Sequence, residues 1–131
     1  MAQAARTTDM LLMSAEEFLA YPLAEGKAEL VRGELRVTPP AGGPHGKAST
    51  NLVIMLGAFA GLHRHGTVFA DGVGYELLAL PRTVRVPDVS FVASGRLPEP
   101  GIGPGLLKLA PDLAVEVLSP SETASELEEK S

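Results

Sequence analysis

The sequence predicts an α+β or mixed α/β domain whose strands are mainly antiparallel, on three observations. Residues 28–37, AELVRGELRV, form two short apolar-rich runs around Arg32-Gly33, the signature of a tight hairpin. Residues 46–62 are apolar on nearly every side and long enough for a helix packed in the middle of the domain. Later runs such as TVFA and VRVPDVSFV are rich in β-branched and aromatic residues, as half-buried strands are. Strands joined by turns this short pair antiparallel.

The elements follow in chain order. MSAEEFLAY opens with Ser14 as N-cap and Glu17 three residues on, a capping box, and Pro22 stops that helix early. The hairpin comes next, with Gly33 supplying positive φ. TPPAGGPHG is a Pro/Gly loop leading into the apolar helix. After HRHG come the strands TVFA, VGYELLAL and residues 82–92, RTVRVPDVSFV. PEPGIGPG is an irregular loop and PDLAVEVLS a last apolar strand. SPSETASELEEKS begins a helix, with Ser119 or Ser121 as N-cap, and there the chain stops. Such a helix has nothing here to bury its apolar side. The sequence is therefore expected to be a single domain over residues 1–131 that lacks its C-terminal helix end and last strand.

Composition narrows the class of protein. With 131 residues the chain has the length of one domain, able to bury about two thirds of its unfolded surface. It has no cysteine, which excludes disulfides and thiolate metal sites and fits a reducing cytoplasm. The longest apolar run, residues 52–62, is too short to span a bilayer, and the N-terminus lacks a secretory pattern. The net charge of −5 argues against strong non-specific nucleic-acid binding. Residues 47–108, however, hold six basic against four acidic residues, and SETASELEEK alone carries a net charge of −3.

Two acids interrupt apolar strands. Asp88 follows Pro87 among Val84, Val86, Val89 and Phe91, and Glu116 lies within LAVEVL. A carboxylate in such surroundings must neutralise or find a cationic partner. For Asp88 alone, an ion pair with Arg82, Arg85 or Arg96 is the favoured reading. For both acids together, a shared hard cation draws level. If their strands pair, the two carboxylates come within reach of one ion, and Mg²⁺ takes oxygen ligands while keeping several waters. Asp112 shares the Glu116 strand at a distance of about 13 Å, so it is read as capping the start of that strand.

Other candidates carry less. His45 in GPHG reads as a helix-start or solvent-exposed residue, and Glu29 in AELV as a solvent-facing hairpin acid. His63 and His65 lack a third ligand at a recognised spacing and read as surface residues. GIGPG has no strand-to-helix context for a nucleotide loop. No Gly-x-Ser-x-Gly nucleophile elbow is present, and Ser119 is better read as a helix cap than as a nucleophile.

The segments AELVRGEL, PPAGGPHG, RVPDVSFV and DLAVEVLSPSETASELEEK, in this order and at fitting spacings, resemble the Uma-type restriction endonuclease family of the PD-(D/E)XK nuclease superfamily. The resemblance runs from about Ser14 to the end of the chain. It implies a restriction-endonuclease-like core, a mixed, mainly antiparallel sheet flanked by helices. Asp88 matches the Asp of the PD motif and Glu116 the acid of (D/E)XK. Leu118 stands where the superfamily has its Lys; in this family the Lys comes from the following helix, where Lys130 stands, 14 residues after Glu116. Glu29 matches the acid of the first hairpin and His45 the His at the start of the long helix, both implied to lie at the edge of the site.

The activity thus implied is that of a cytoplasmic, bacterial, Mg²⁺-dependent endonuclease with DNA as partner, Mn²⁺ as a substitute metal and a homodimer as an option. Asp88, Glu116 and the Val117 carbonyl are implied as metal ligands, and Lys130 as the cation beside the attacking water. The alternative is a nuclease fold that no longer cuts and serves as a binding or self-association module.

Overall fold

The computed structural model describes residues 13–23, 25–79, 81–98 and 105–118, with His63 described by its backbone alone. Its elements in chain order are α1 (Ala15–Leu19), β1 (Lys27–Val31), β2 (Glu34–Thr38), α2 (Gly43–His63), β3 (Gly66–Phe69), β4 (Tyr75–Ala79), β5 (Arg82–Arg85), β6 (Val89–Ala93) and β7 (Leu113–Val115). Among the described residues, all strand pairs in the two sheets are antiparallel, and the two-residue turn requires this of β1 and β2. Two units divide the chain. The first comprises Met1–Pro40, Val73–Val86 and Ile102–Ala110, the second Ala41–Gly72, Pro87–Gly101 and Pro111–Ser131.

In the first unit, the capping box closes at both bonds. Ser14 Oγ accepts the Glu17 N–H at 3.0 Å, and Glu17 Oε1 accepts the Ser14 N–H at 2.8 Å. The hairpin joins β1 to β2 with Val31 opposite Glu34. Both turn residues take positive φ, Arg32 at 50° and Gly33 at 85°, so the turn is type I′ and Gly33 shares the task with Arg32. The sheet runs β2-β1-β5-β4, and its core packs Phe18 on Leu30 and Val84, with Met13 and Leu35 around them. Tyr75 is fully buried beside Leu107, to which it is bridged.

In the second unit, β6 is the central strand of the order β3-β6-β7, and α2 packs against β3 and β6. Val89 and Val92 are fully buried and Ala60 nearly so. Gly66 permits the close approach of β3 to β6, since a Cβ there would lie 2.2 Å from the Val92 carbonyl oxygen. Arg64 ends α2 in the left-handed conformation at φ 56°.

Three expectations change. Residues 82–92 are not one strand: β5 ends at Arg85, β6 begins at Val89, and the chain passes from one unit to the other at Pro87. Proline has no N–H for a ladder, which is why the run breaks there. Asp88 and Glu116 accordingly lie one position beyond β6 and β7 rather than inside strands. And α2 is not buried all round, because Ile54, Met55, Phe59 and Leu62 are each more than half exposed. The helix expected after Ser119 lies outside the described residues. Among those described, no helix is long and apolar enough to cross a membrane.

Candidate active site

Asp88 is the buried acid the sequence singles out, with its side chain 5% exposed. Its Oδ2 accepts the Val117 N–H at 2.7 Å and lies 3.2 Å from His45 Nε2. A carboxylate only accepts, so the His45 proton that makes this bond resides on Nε2. The three arginines that the sequence offers to Asp88 each face a different acid. Arg82 pairs with Glu76, Arg85 lies 3.6 Å from Glu29, and Arg96 lies 2.8 Å from Asp112.

Strand register explains the position of Glu116. Val89 pairs with Val115 at the end of the β6–β7 ladder, so the next position outward on each strand is Asp88 on one side and Glu116 on the other. Opposite residues of an antiparallel pair share a face. One step further out, Pro87 and Val117 would face each other. The Val117 N–H turns instead to the Asp88 side chain, which stands in for a backbone acceptor as the ladder ends.

The same device occurs in the first unit. The Val86 N–H donates to Glu29 Oε2 at 2.7 Å, and Glu29 is 2% exposed. Glu29 is therefore a buried carboxylate that closes the end of β5, not a solvent-facing hairpin acid. It belongs to the first unit, whereas His45, Asp88, Glu116 and Val117 belong to the second. Lys130 lies outside the described residues. Asp112 caps as expected: its Oδ2 accepts the Ala93 N–H at 2.7 Å and an Arg96 N–H at 2.8 Å. The Ala93 amide and then the Arg96 guanidinium hold its carboxyl below the usual carboxylate range.

Beside Asp88 and His45 opens a cleft of about 320 Å³, also lined by Ser49 and Thr50 of α2 and by Asp71 after β3. The Ser49 Oγ is buried without a hydrogen-bond partner. No local pattern marks Ser49 or Asp71 in the sequence; only the pairing of β3 with β6 and the packing of α2 bring them to Asp88. Among the described residues, no three His, Asp or Glu side chains are gathered closely enough to enclose a metal by themselves. Two carboxylates completed by waters are nevertheless the usual protein share of a Mg²⁺ site. The carboxylate oxygens of Asp88 and Glu116 are the donor type that such an ion takes.

This geometry sits in a recognisable frame. A family model described as Uma2, "Putative restriction endonuclease", matches residues 15–131. The chain belongs to the Uma2 family. Its fold is shared with the crystal structure of a putative nuclease of DUF820 from Anabaena variabilis ATCC 29413, which superposes with a TM-score of 0.75 at 23% identity. The match covers 90% of this chain and 65% of that one, so this chain spans about two thirds of the other's length. No curated protein matches the chain. The Uma2 model takes in Asp88, Glu116 and Lys130 together with the hairpin of Glu29 and the helix of His45.

Proposed function

We propose that this chain is a Mg²⁺-dependent DNA endonuclease, with Mn²⁺ able to replace Mg²⁺. The observation that supports the reading is the β6–β7 register: beyond its last pair, Val89 and Val115, the next positions are Asp88 and Glu116, and Asp88 lines the cleft. Membership of the Uma2 restriction endonuclease family supports the reaction class.

In this reading Asp88 and Glu116, with the Val117 carbonyl, hold the ion. When bound, Mg²⁺ supplies an acidified water and neutralises charge building on the phosphate. The Val117 N–H fixes the Asp88 carboxylate through Oδ2, and His45 holds the same atom from the side of α2. Both contacts settle the rotamer of Asp88 before any ligand arrives. Lys130 stabilises the negative charge of the attacking oxygen and of the transition state.

The test is calorimetric titration with Mn²⁺ alongside plasmid cleavage in Mg²⁺. Wild type is expected to bind Mn²⁺ and nick plasmid, while Glu116→Gln loses both. Lys130→Ala is expected to keep Mn²⁺ binding and to slow cleavage by about 10²-fold. Equal cleavage by Lys130→Ala and wild type removes Lys130 from the site.

A second reading, a nuclease fold kept as a self-association module, is favoured by the exposed apolar flank of α2 around Met55, Phe59 and Leu62. It predicts a homodimer that binds no Mn²⁺ and cuts nothing.

A further inference from the structure

Val86 lies just past the end of β5 and two residues before Asp88, and two side chains of β1 take hold of it. Glu29 Oε2 accepts the Val86 N–H at 2.7 Å, and Lys27 Nζ donates to the Val86 carbonyl at 2.7 Å. Lys27 and Glu29 stand two positions apart on β1, so both belong to the same face of the sheet. The β1–β5 ladder itself pairs Leu30 with Val84. Past that pair, side chains take over the backbone groups of Val86. Glu29 is 2% exposed, and its other oxygen lies 3.6 Å from Arg85 Nη1. Buried ion pairs add little stability over apolar packing, so stability alone does not account for a charge at Glu29.

We propose that Lys27 and Glu29 are positioning residues for Asp88. Each backbone hydrogen-bonding group of Val86 is held by one of them, and a residue before proline is already confined to extended conformations. The ring of Pro87 then fixes its own φ. Few free torsions remain between the clamp and Asp88, whose carboxylate has to meet the Val117 N–H and His45 Nε2. The inference deepens the metal reading above, in which Asp88 is a ligand, and it gives Glu29 a role without contact to the ion. The bland account is that the two side chains only finish the end of the sheet. Their loss would then cost stability and leave Asp88 where it is.

Amide hydrogen exchange and Mn²⁺ titration calorimetry on wild type, Lys27→Met, Glu29→Ala and Glu29→Gln separate these accounts. Gln keeps an oxygen for the Val86 N–H, whereas Ala does not. The Val117 amide reports on Asp88 directly, because Asp88 Oδ2 is its acceptor. Lys27→Met and Glu29→Ala are expected to speed exchange of the Val117 amide more than that of the amides in the β3–β6 ladder. Both should also weaken Mn²⁺ binding by about 10-fold, as loss of a ligand's support does. Glu29→Gln is expected to match wild type in both measurements. Equal acceleration of Val117 and the ladder, with Mn²⁺ affinity unchanged, overturns the proposal. So does loss of Mn²⁺ binding by Glu29→Gln with Val117 exchange unchanged, the mark of a direct ligand. Should Glu29→Ala fail to fold, Lys27→Met carries the test, because that side chain is part-buried rather than enclosed. If wild type binds no Mn²⁺, the metal reading falls, and Val117 exchange still decides whether Lys27 and Glu29 place Asp88.

Discussion

In the proposed reading Asp88 combines two duties in one carboxylate, and substitutions can separate them. Its Oδ2 takes the Val117 amide and the His45 imidazole, so the residue holds the end of the β6–β7 ladder whether or not an ion is bound. Truncation to Ala leaves a part-buried N–H without its acceptor, which costs about 1–3 kcal/mol. Asn keeps a carbonyl oxygen for Val117 while removing the charge. Asp88→Ala is therefore expected to lower metal-free stability in urea unfolding, and Asp88→Asn to do so by clearly less, with both losing Mn²⁺. Equal destabilisation by the two would show that the charge, not the acceptor, supports the fold. The sequence made Asp88 conspicuous because an acid among valines demands a partner. It offered an arginine or a metal and gave no hint of a backbone amide, because Val117 reaches Asp88 only through tertiary pairing.

At the scale of elements, local signals were read well and long-range ones poorly. The capping box at Ser14 and the hairpin at Gly33 rest on neighbours in sequence, and both form as expected. The run through residues 82–92 misleads because β-branched composition is continuous across Pro87, while the ladder cannot be. Asp112 shows how these short strands are secured at their ends. It accepts the Ala93 amide and pairs with Arg96, joining the start of β7 to the end of β6. Both partners favour the ionised form, the amide most, and lower its pKa from the ordinary 3.8. A group whose pKa is depressed on folding adds stability above its unfolded pKa and loses it as pH falls through the folded value. Wild type should therefore exceed Asp112→Asn in urea midpoint at pH 6, with the gap closing as pH drops below about 4. A gap that persists at pH 2 would point to packing rather than charge.

For the whole molecule, charge decides how the proposed nucleic-acid substrate would be held. The chain carries −5 overall, and several of its basic groups are already engaged. Arg82, Arg85 and Arg96 face acids, and Lys27 Nζ donates to the Val86 carbonyl at 2.7 Å. Lys47, Arg64 and Lys108 are exposed. Composition alone made this balance legible, and Asp88 and Glu116 stand out as acids in apolar runs, whereas their register positions come only from the pairing of β6 with β7. With this net charge, the proposed reading has DNA affinity come from the ion and a few phosphate contacts. Each phosphate neutralised adds about −0.9 to the slope of log K against log salt, so a handful of contacts gives a slope no steeper than about −4. Fluorescence anisotropy with a short duplex in Ca²⁺, varied from 50 to 300 mM salt, measures it. The expected result is a shallow slope together with an affinity that collapses when the divalent ion is chelated. A steep slope that survives chelation would mean that the chain grips DNA through a cationic surface, and the ion-centred reading of the site would have to give way.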